Sequence, residues 1–121
     1  MIKVLVVDDH PMVREGLEAM FASEGGFDVV GLAANGEEAI ALAGKTSPDV
    51  VLSDVRMPKM DGSQLAEAMR KERRLAEIPI VAVTADVDVG STYDMSLFAK
   101  VIAKPVTSAK LRALFGDIGS D

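Results

Sequence analysis

Val50-Val51-Leu52-Ser53-Asp54, followed by Val55-Arg56-Met57-Pro58-Lys59-Met60-Asp61-Gly62, is the stretch from which the rest of the chain is read. A short β-branched run ends on a carboxylate, and Pro58 and Gly62 close behind it stop the strand from continuing. Asp54 is therefore expected to sit exposed where a strand emerges from its sheet, a place for chemistry.

The same design opens the chain. Ile2 to Val7 is an apolar run, broken only by Lys3, that stops at two adjacent acids, Asp8 and Asp9. If the two runs are neighbouring parallel strands, three carboxylates converge at their C-terminal ends. Like charges that close disfavour their own ionisation unless a cation sits among them, so the arrangement asks for a hard divalent metal. Two later runs supply further groups: Pro79-Ile80-Val81-Ala82-Val83 ends on Thr84, and Val101-Ile102-Ala103 ends on Lys104 before Pro105.

Taken together, these residues resemble the receiver domain of two-component response regulators. The matching features are the acid pair of VLVVDD, the Asp of LSDVRMPKMDG, the Thr of VAVTA and the Lys-Pro of AKPV, which span nearly the whole chain in the family's order. The resemblance implies a receiver fold, a phosphoacceptor at Asp54, and magnesium held by Asp8, Asp9, Asp54 and the backbone carbonyl of Arg56. It assigns Thr84 a hydrogen bond to the phosphoryl group and Lys104 a neutralising charge. It also implies a sensor histidine kinase or histidine phosphotransfer protein as donor, and a phosphorylation-dependent homodimer as one possible outcome.

Composition sets the outer bounds. A chain of 121 residues suits a single domain, 1–121, and with 49% hydrophobic residues but four Phe, one Tyr and no Trp its core is built from Val, Leu, Ile, Ala and Met. The net charge of −6 and the lack of a basic patch, beyond the mixed run Arg70-Lys71-Glu72-Arg73-Arg74, argue against direct nucleic-acid contact. Without cysteine there is no disulfide framework or thiolate metal site. The first apolar run is too short for a membrane span and lacks a basic leader, which leads to the expectation of a cytoplasmic protein with no membrane contact.

In chain order, Pro11 suits a first helical turn, and Val13, Leu17, Met20 and Phe21 form an amphipathic stripe that Gly25-Gly26 ends. Phe27 to Ala33 reads as a strand, and Asn35 with Glu38 caps an Ala-rich helix through Ala43. Gly44-Lys45-Thr46 looks like the tail of a phosphate-binding loop, but the glycine required earlier is Ala39, so Gly44 is read as a helix stop. Gly62 to about Arg73 carries Leu65, Ala68 and Met69 at helical spacing, with Glu67, Lys71 and Glu72 outward, and Ile78 to Val83 is a fourth strand. Residues 86 to 96 are poor helix formers, so a helix there is short. After the strand Val101 to Ala103, Thr107 caps a last helix striped by Leu111, Leu114, Phe115 and Ile118, and Gly116 to Asp121 reads as a fraying tail or the start of a linker.

Strands alternating with helices imply an α/β fold: a five-stranded parallel sheet, doubly wound, with right-handed crossovers. The strand order 2-1-3-4-5, flavodoxin-like, comes with the resemblance, while the short or irregular fourth helix follows from the poor helix formers of residues 86 to 96. One position departs from the family's pattern: Val101 stands where an aromatic usually precedes the Lys by three residues. A relay from Thr to an aromatic ring is then not expected, and phosphorylation should act by reordering the loop 86–96. Tyr93 or Phe98 could replace the ring, although Phe98 reads better as a core residue. His10, the sole histidine, lies beside the acids and is read as a solvated loop residue.

Other functions compete, among them a structural pseudo-receiver that is never phosphorylated, against which the complete set of acids, Thr84 and Lys104 argues. A phosphatase of the haloacid dehalogenase type also forms a phospho-Asp, but it needs a second acid two residues after the nucleophile, where this chain has Arg56. A flavodoxin-like cofactor binder would want a Ser/Thr/Gly-rich phosphate loop after the first strand, whereas Asp8-Asp9 repels a phosphate that lacks a metal.

Overall fold

Val4, Leu5, Val6 and Val7 are all buried, although successive residues of a strand face opposite ways. A strand buried on both faces needs helices above and below, and that is the arrangement found in the computed structural model, which describes residues 1–54, 62–84, 98–104 and 106–119, the side chains at 62–63 and 114–119 excepted. The elements are β1 (Ile2–Val7), α1 (Pro11–Glu24), β2 (Phe27–Ala33), α2 (Gly36–Thr46), β3 (Val50–Asp54), α3 (Gly62–Lys71), β4 (Ile80–Thr84), β5 (Lys100–Ala103) and α4 (Ser108–Gly119). All strand pairs are parallel and the sheet order is β2-β1-β3-β4-β5, as expected.

The pleat sorts the core into two layers. Val4, Val6, Val50, Leu52, Val81, Val83 and Ile102 face Leu17 and Phe21 of α1 and Leu111 of α4. Leu5, Val7, Val51, Ile80 and Ala82 face Ala39 and Ala43 of α2 and Leu65, Ala66 and Met69 of α3. Each fully buried large side chain contributes about 1.5–3 kcal/mol. That exceeds the differences in intrinsic helix propensity, up to about 0.7 kcal/mol per ordinary residue, so the apolar faces decide where the helices lie. In α3 the buried stripe runs through Ala66, while Ala68 is only partly covered.

Several boundaries move from their expected places. Gly44 does not stop α2: the helix runs to Thr46, and Ser47 takes the left-handed conformation (φ 49°) with its N–H bonded to the Ala43 carbonyl. The glycine is tolerated because helix on both sides fixes its backbone, and Pro48 behind Ser47 bars a further turn. β4 begins at Ile80 and not Ile78, whose N–H is used in a turn to the Leu75 carbonyl. α3 ends at Lys71, and α4 carries helical backbone through Gly116 to Gly119 in place of the expected tail.

The local signals at the other ends hold. Gly25 and Gly26 take φ of 76° and 81° after α1, a region that favours glycine. Asn35 accepts from the Glu38 N–H at 3.0 Å while Glu38 reaches back to the Ala34 N–H at 2.8 Å. Thr107 Oγ1 accepts from the Lys110 N–H at 3.2 Å and caps α4. Phe98 is in the core, 8% exposed, and Val101 is half exposed on β5. Tyr93, Pro105 and the expected short helix within 86–96 lie outside the described residues.

Candidate functional site

Val7 pairs with Ser53 across β1 and β3, which brings the next residues, Asp8 and Asp54, level at the carboxyl ends of the two central strands. The chain leaves β1 toward β2 on one side and returns to β3 on the other. That divergence opens the crevice in which open parallel sheets hold ligands.

The three acids expected to meet do meet. One ligand atom from each of Asp8, Asp9, His10 and Asp54 lies within 4.8 Å of the others. Asp54 is not exposed as the strand-end reading expects: it retains 6% of its accessible surface, and Asp8 retains 2%. The reason is tertiary, since β1 and β4 flank the end of β3 and the Lys104 side chain lies against the carboxylate. Lys104 Nζ is 3.2 Å from Asp54 Oδ2 and 3.8 Å from Asp8 Oδ2. The Lys104 N–H donates to the Thr84 carbonyl at 2.9 Å, tying the residue after β5 to the end of β4. Thr84 itself is buried, one residue beyond Val83, the pairing partner of Asp54.

The loop after β1 is held by contacts that sequence reasoning missed. The His10 N–H donates to Asp8 Oδ1 at 2.9 Å, and Arg14 Nη1 donates to the Asp8 carbonyl at 2.6 Å. The only available signal for Arg14 was its place one turn after His10, on a helix expected to start at Pro11. His10 is solvated as expected, 64% exposed, yet its Nδ1 is 3.2 Å from Asp8 Oδ1 and 3.0 Å from Asp9 Oδ1. Only the contact to Asp8 has hydrogen-bond geometry. Arg56 lies outside the described residues.

The cluster suits a divalent cation on two counts. Among the described side chains, the carboxylates of Asp8, Asp9 and Asp54 against the Lys104 ammonium leave two negative charges. Among the described residues Asp9 Oδ1, a buried oxygen, finds no hydrogen-bond donor despite the nearby ring nitrogen, a situation that costs about 1–3 kcal/mol or more for a charged group unless a cation meets it. Oxygen ligands on a six-coordinate magnesium, at about 2.1 Å, span up to about 4.2 Å across the ion, so only a small contraction is needed.

Residues 4–115 match the response regulator receiver domain family, and the chain belongs to it. Members of this class act in phosphorelay signalling. The chain is 48% identical to the response regulator GacA of Pseudomonas syringae pv. syringae over 84 residues, covering 69% of this chain and 38% of that one. It superposes on the Vibrio cholerae chemotaxis protein CheY4 with a TM-score of 0.86 at 29% identity, covering 98% of each chain. The receiver domain of sensor histidine kinase PA1611 from Pseudomonas aeruginosa PAO1, which has a magnesium ion coordinated in its active site cleft, gives a TM-score of 0.86 at 31% identity, with 98% of each chain covered. The chain spans 30–43% of the length of the curated relatives it matches. Among the described residues no helix is long and apolar enough to cross a membrane.

Proposed function

We propose that residues 1–121 form one receiver domain that takes a phosphoryl group onto Asp54 from a phosphohistidine of a sensor histidine kinase or histidine phosphotransfer protein. The observation that carries this reading is the Asp54 carboxylate, held level with Asp8 at the sheet's switch point with the Lys104 ammonium 3.2 Å away. A carboxylate oxygen of Asp54 attacks phosphorus while the P–N bond to the donor imidazole breaks. The bonding pair stays with the departing ring nitrogen, which regains a proton, and an acyl phosphate is left on Asp54.

Such a transfer asks the protein mainly for positioning and charge neutralisation. Lys104 supplies a positive charge beside the attacking oxygen. Thr84, at the end of β4, is assigned the hydrogen bond to a phosphoryl oxygen. Asp8, Asp9, Asp54 and the Arg56 carbonyl are assigned to magnesium, which when bound offsets the negative charge of the acids and of the transferring group. The domain's catalysis is then confined to its own phosphorylation and dephosphorylation.

A protein donor fits the surroundings. An apolar groove of about 500 Å³ between α1 and the segment after β5, lined by Val13, Leu17, Met20, Val83 and Val106, shares Lys104 with the acid cluster. The phosphorylated domain controls an output domain or a partner, and its acidic balance favours no direct contact with nucleic acid.

Acetyl phosphate with magnesium should add one phosphoryl group by intact mass, and Asp54→Asn should abolish the gain. An equal gain in the Asn variant would overturn the assignment.

A further inference from the structure

Helix α4 begins with the wrong sign of charge. Thr107 caps it as Asn35 caps α2, and the residue three places after such a cap is the one placed to reach back across the helix start. In α2 that residue is Glu38, which returns to the Ala34 N–H. In α4 it is Lys110, and the first turn holds no acid. An ammonium there opposes the helix dipole, so the local rules of helix stability do not account for it.

The Lys110 side chain does reach back, to a different target. Its Nζ donates to the Ala103 carbonyl at 2.9 Å. That carbonyl belongs to the same peptide unit as the Lys104 N–H, which donates to the Thr84 carbonyl at 2.9 Å. The N–H and C=O of a trans peptide point opposite ways. One end of the unit therefore joins β4, and the other faces outward from β5, the last strand in the sheet order, where Lys110 takes the place of a strand neighbour.

We propose that Lys110 is a positioning residue for Lys104: by clamping the outer end of the 103–104 peptide it fixes the main chain from which the Lys104 ammonium reaches Asp54. The inference rests on the reading that Lys104 assists phosphoryl transfer to Asp54.

The surroundings make such a clamp necessary. Lys104 carries its charge on a flexible four-carbon stem, so its 3.2 Å contact with Asp54 Oδ2 is only as well defined as the main chain at its root. β5 has only four residues, and Val101 and Ala103 are exposed, so packing alone holds the end of this strand weakly. Lys110 is itself anchored, because its own N–H donates to Thr107 Oγ1 at 3.2 Å. A charged donor fixes the direction of the carbonyl. Water in its place satisfies the oxygen without holding the peptide, so loss of the lysine acts on the placement of Lys104 more than on the fold.

The test follows phosphoryl incorporation from acetyl phosphate with magnesium by intact mass, in the wild type, Lys110→Met, Lys110→Arg, Lys104→Met and the double variant that combines the two Met changes. Lys110→Met should slow incorporation by about tenfold, and Lys110→Arg, which still donates to the carbonyl, should restore most of the rate. In the Lys104→Met background the change at Lys110 should have no further effect, because Lys110 acts through Lys104. Hydrogen exchange read by NMR on the unphosphorylated domain in chelator should show the Lys104 amide exchanging faster in Lys110→Met. An unchanged rate or an unchanged Lys104 amide in Lys110→Met, or an equal loss of rate in both backgrounds, as a charge acting through space would give, would overturn the inference. A Lys104→Met variant that is phosphorylated as fast as the wild type would instead overturn the reading beneath it.

Discussion

Replacing Asp9 by Asn should make the metal-free domain more stable and at the same time remove most of its response to magnesium. Asp9 contributes a carboxylate within 4.8 Å of those of Asp8 and Asp54, while the Lys104 ammonium is shared by the other two. At an effective dielectric constant of about 20, two unit charges at that separation repel by about 3.5 kcal/mol. The Asp9 side chain is 27% exposed, and screening by solvent together with residual repulsion in the unfolded chain reduces the net effect to about 1–2 kcal/mol. Asn keeps the volume, so no cavity forms, and its amide can donate to a neighbouring carboxylate. For a domain of this size about 1 kcal/mol shifts the melting temperature by roughly 4 °C, so the variant should melt about 4–8 °C higher in chelator. With magnesium at about a hundred times its dissociation constant the wild type should gain about 2.7 kcal/mol, and the variant far less, closing or reversing the gap. Thermal melts of both proteins in EDTA and across a magnesium titration measure this. An Asn variant that melts below the wild type in EDTA, or that gains equally from magnesium, would refute the reasoning.

Three further outcomes follow from particular contacts. Lys104→Met should keep the fold but slow phosphoryl incorporation from acetyl phosphate by about a hundredfold or more, because the charge beside Asp54 is lost; a time course by intact mass with an unchanged rate would exclude that role. Asn35→Ala removes the side chain that accepts the Glu38 N–H and should lower stability by about 1 kcal/mol in urea unfolding, with no change in magnesium affinity. Phe21→Ala empties a fully buried position whose ring meets that of Phe27 at a centroid distance of 5.1 Å, and should cost about 3–5 kcal/mol by the same assay; a cost well under 1 kcal/mol would mean that α1 is not docked through this face.

Much of this molecule was legible along the chain because the relevant forces act over a few residues. The apolar runs at Ile2–Val7 and Val50–Asp54 mark strands because a doubly covered strand must be apolar on both faces, and β1 and β3 have those bounds. Asn35 with Glu38 and Thr107 marked helix starts because a cap is a contact between residues three apart. Acids placed directly after two such strands already implied a shared site once the strands were taken as neighbours.

What local pattern could not decide is anything set by residues distant in sequence. Gly44 reads as a stop by its intrinsic preference, yet α2 passes through it to Thr46, since surrounding helix outweighs the roughly 1 kcal/mol penalty of one glycine. Asp54 reads as exposed from its place at a strand end and is buried because Lys104, fifty residues later, is laid against it. The ring of His10 faces Asp8 and Asp9, and Arg14 grips the Asp8 carbonyl, through a loop geometry that neither residue's type predicts. The charges of the site were thus written into the sequence, whereas their burial, pairing and distances arose only when the sheet brought four strand ends together, because Coulomb energies depend on separation and solvent access, which exist only in the folded chain.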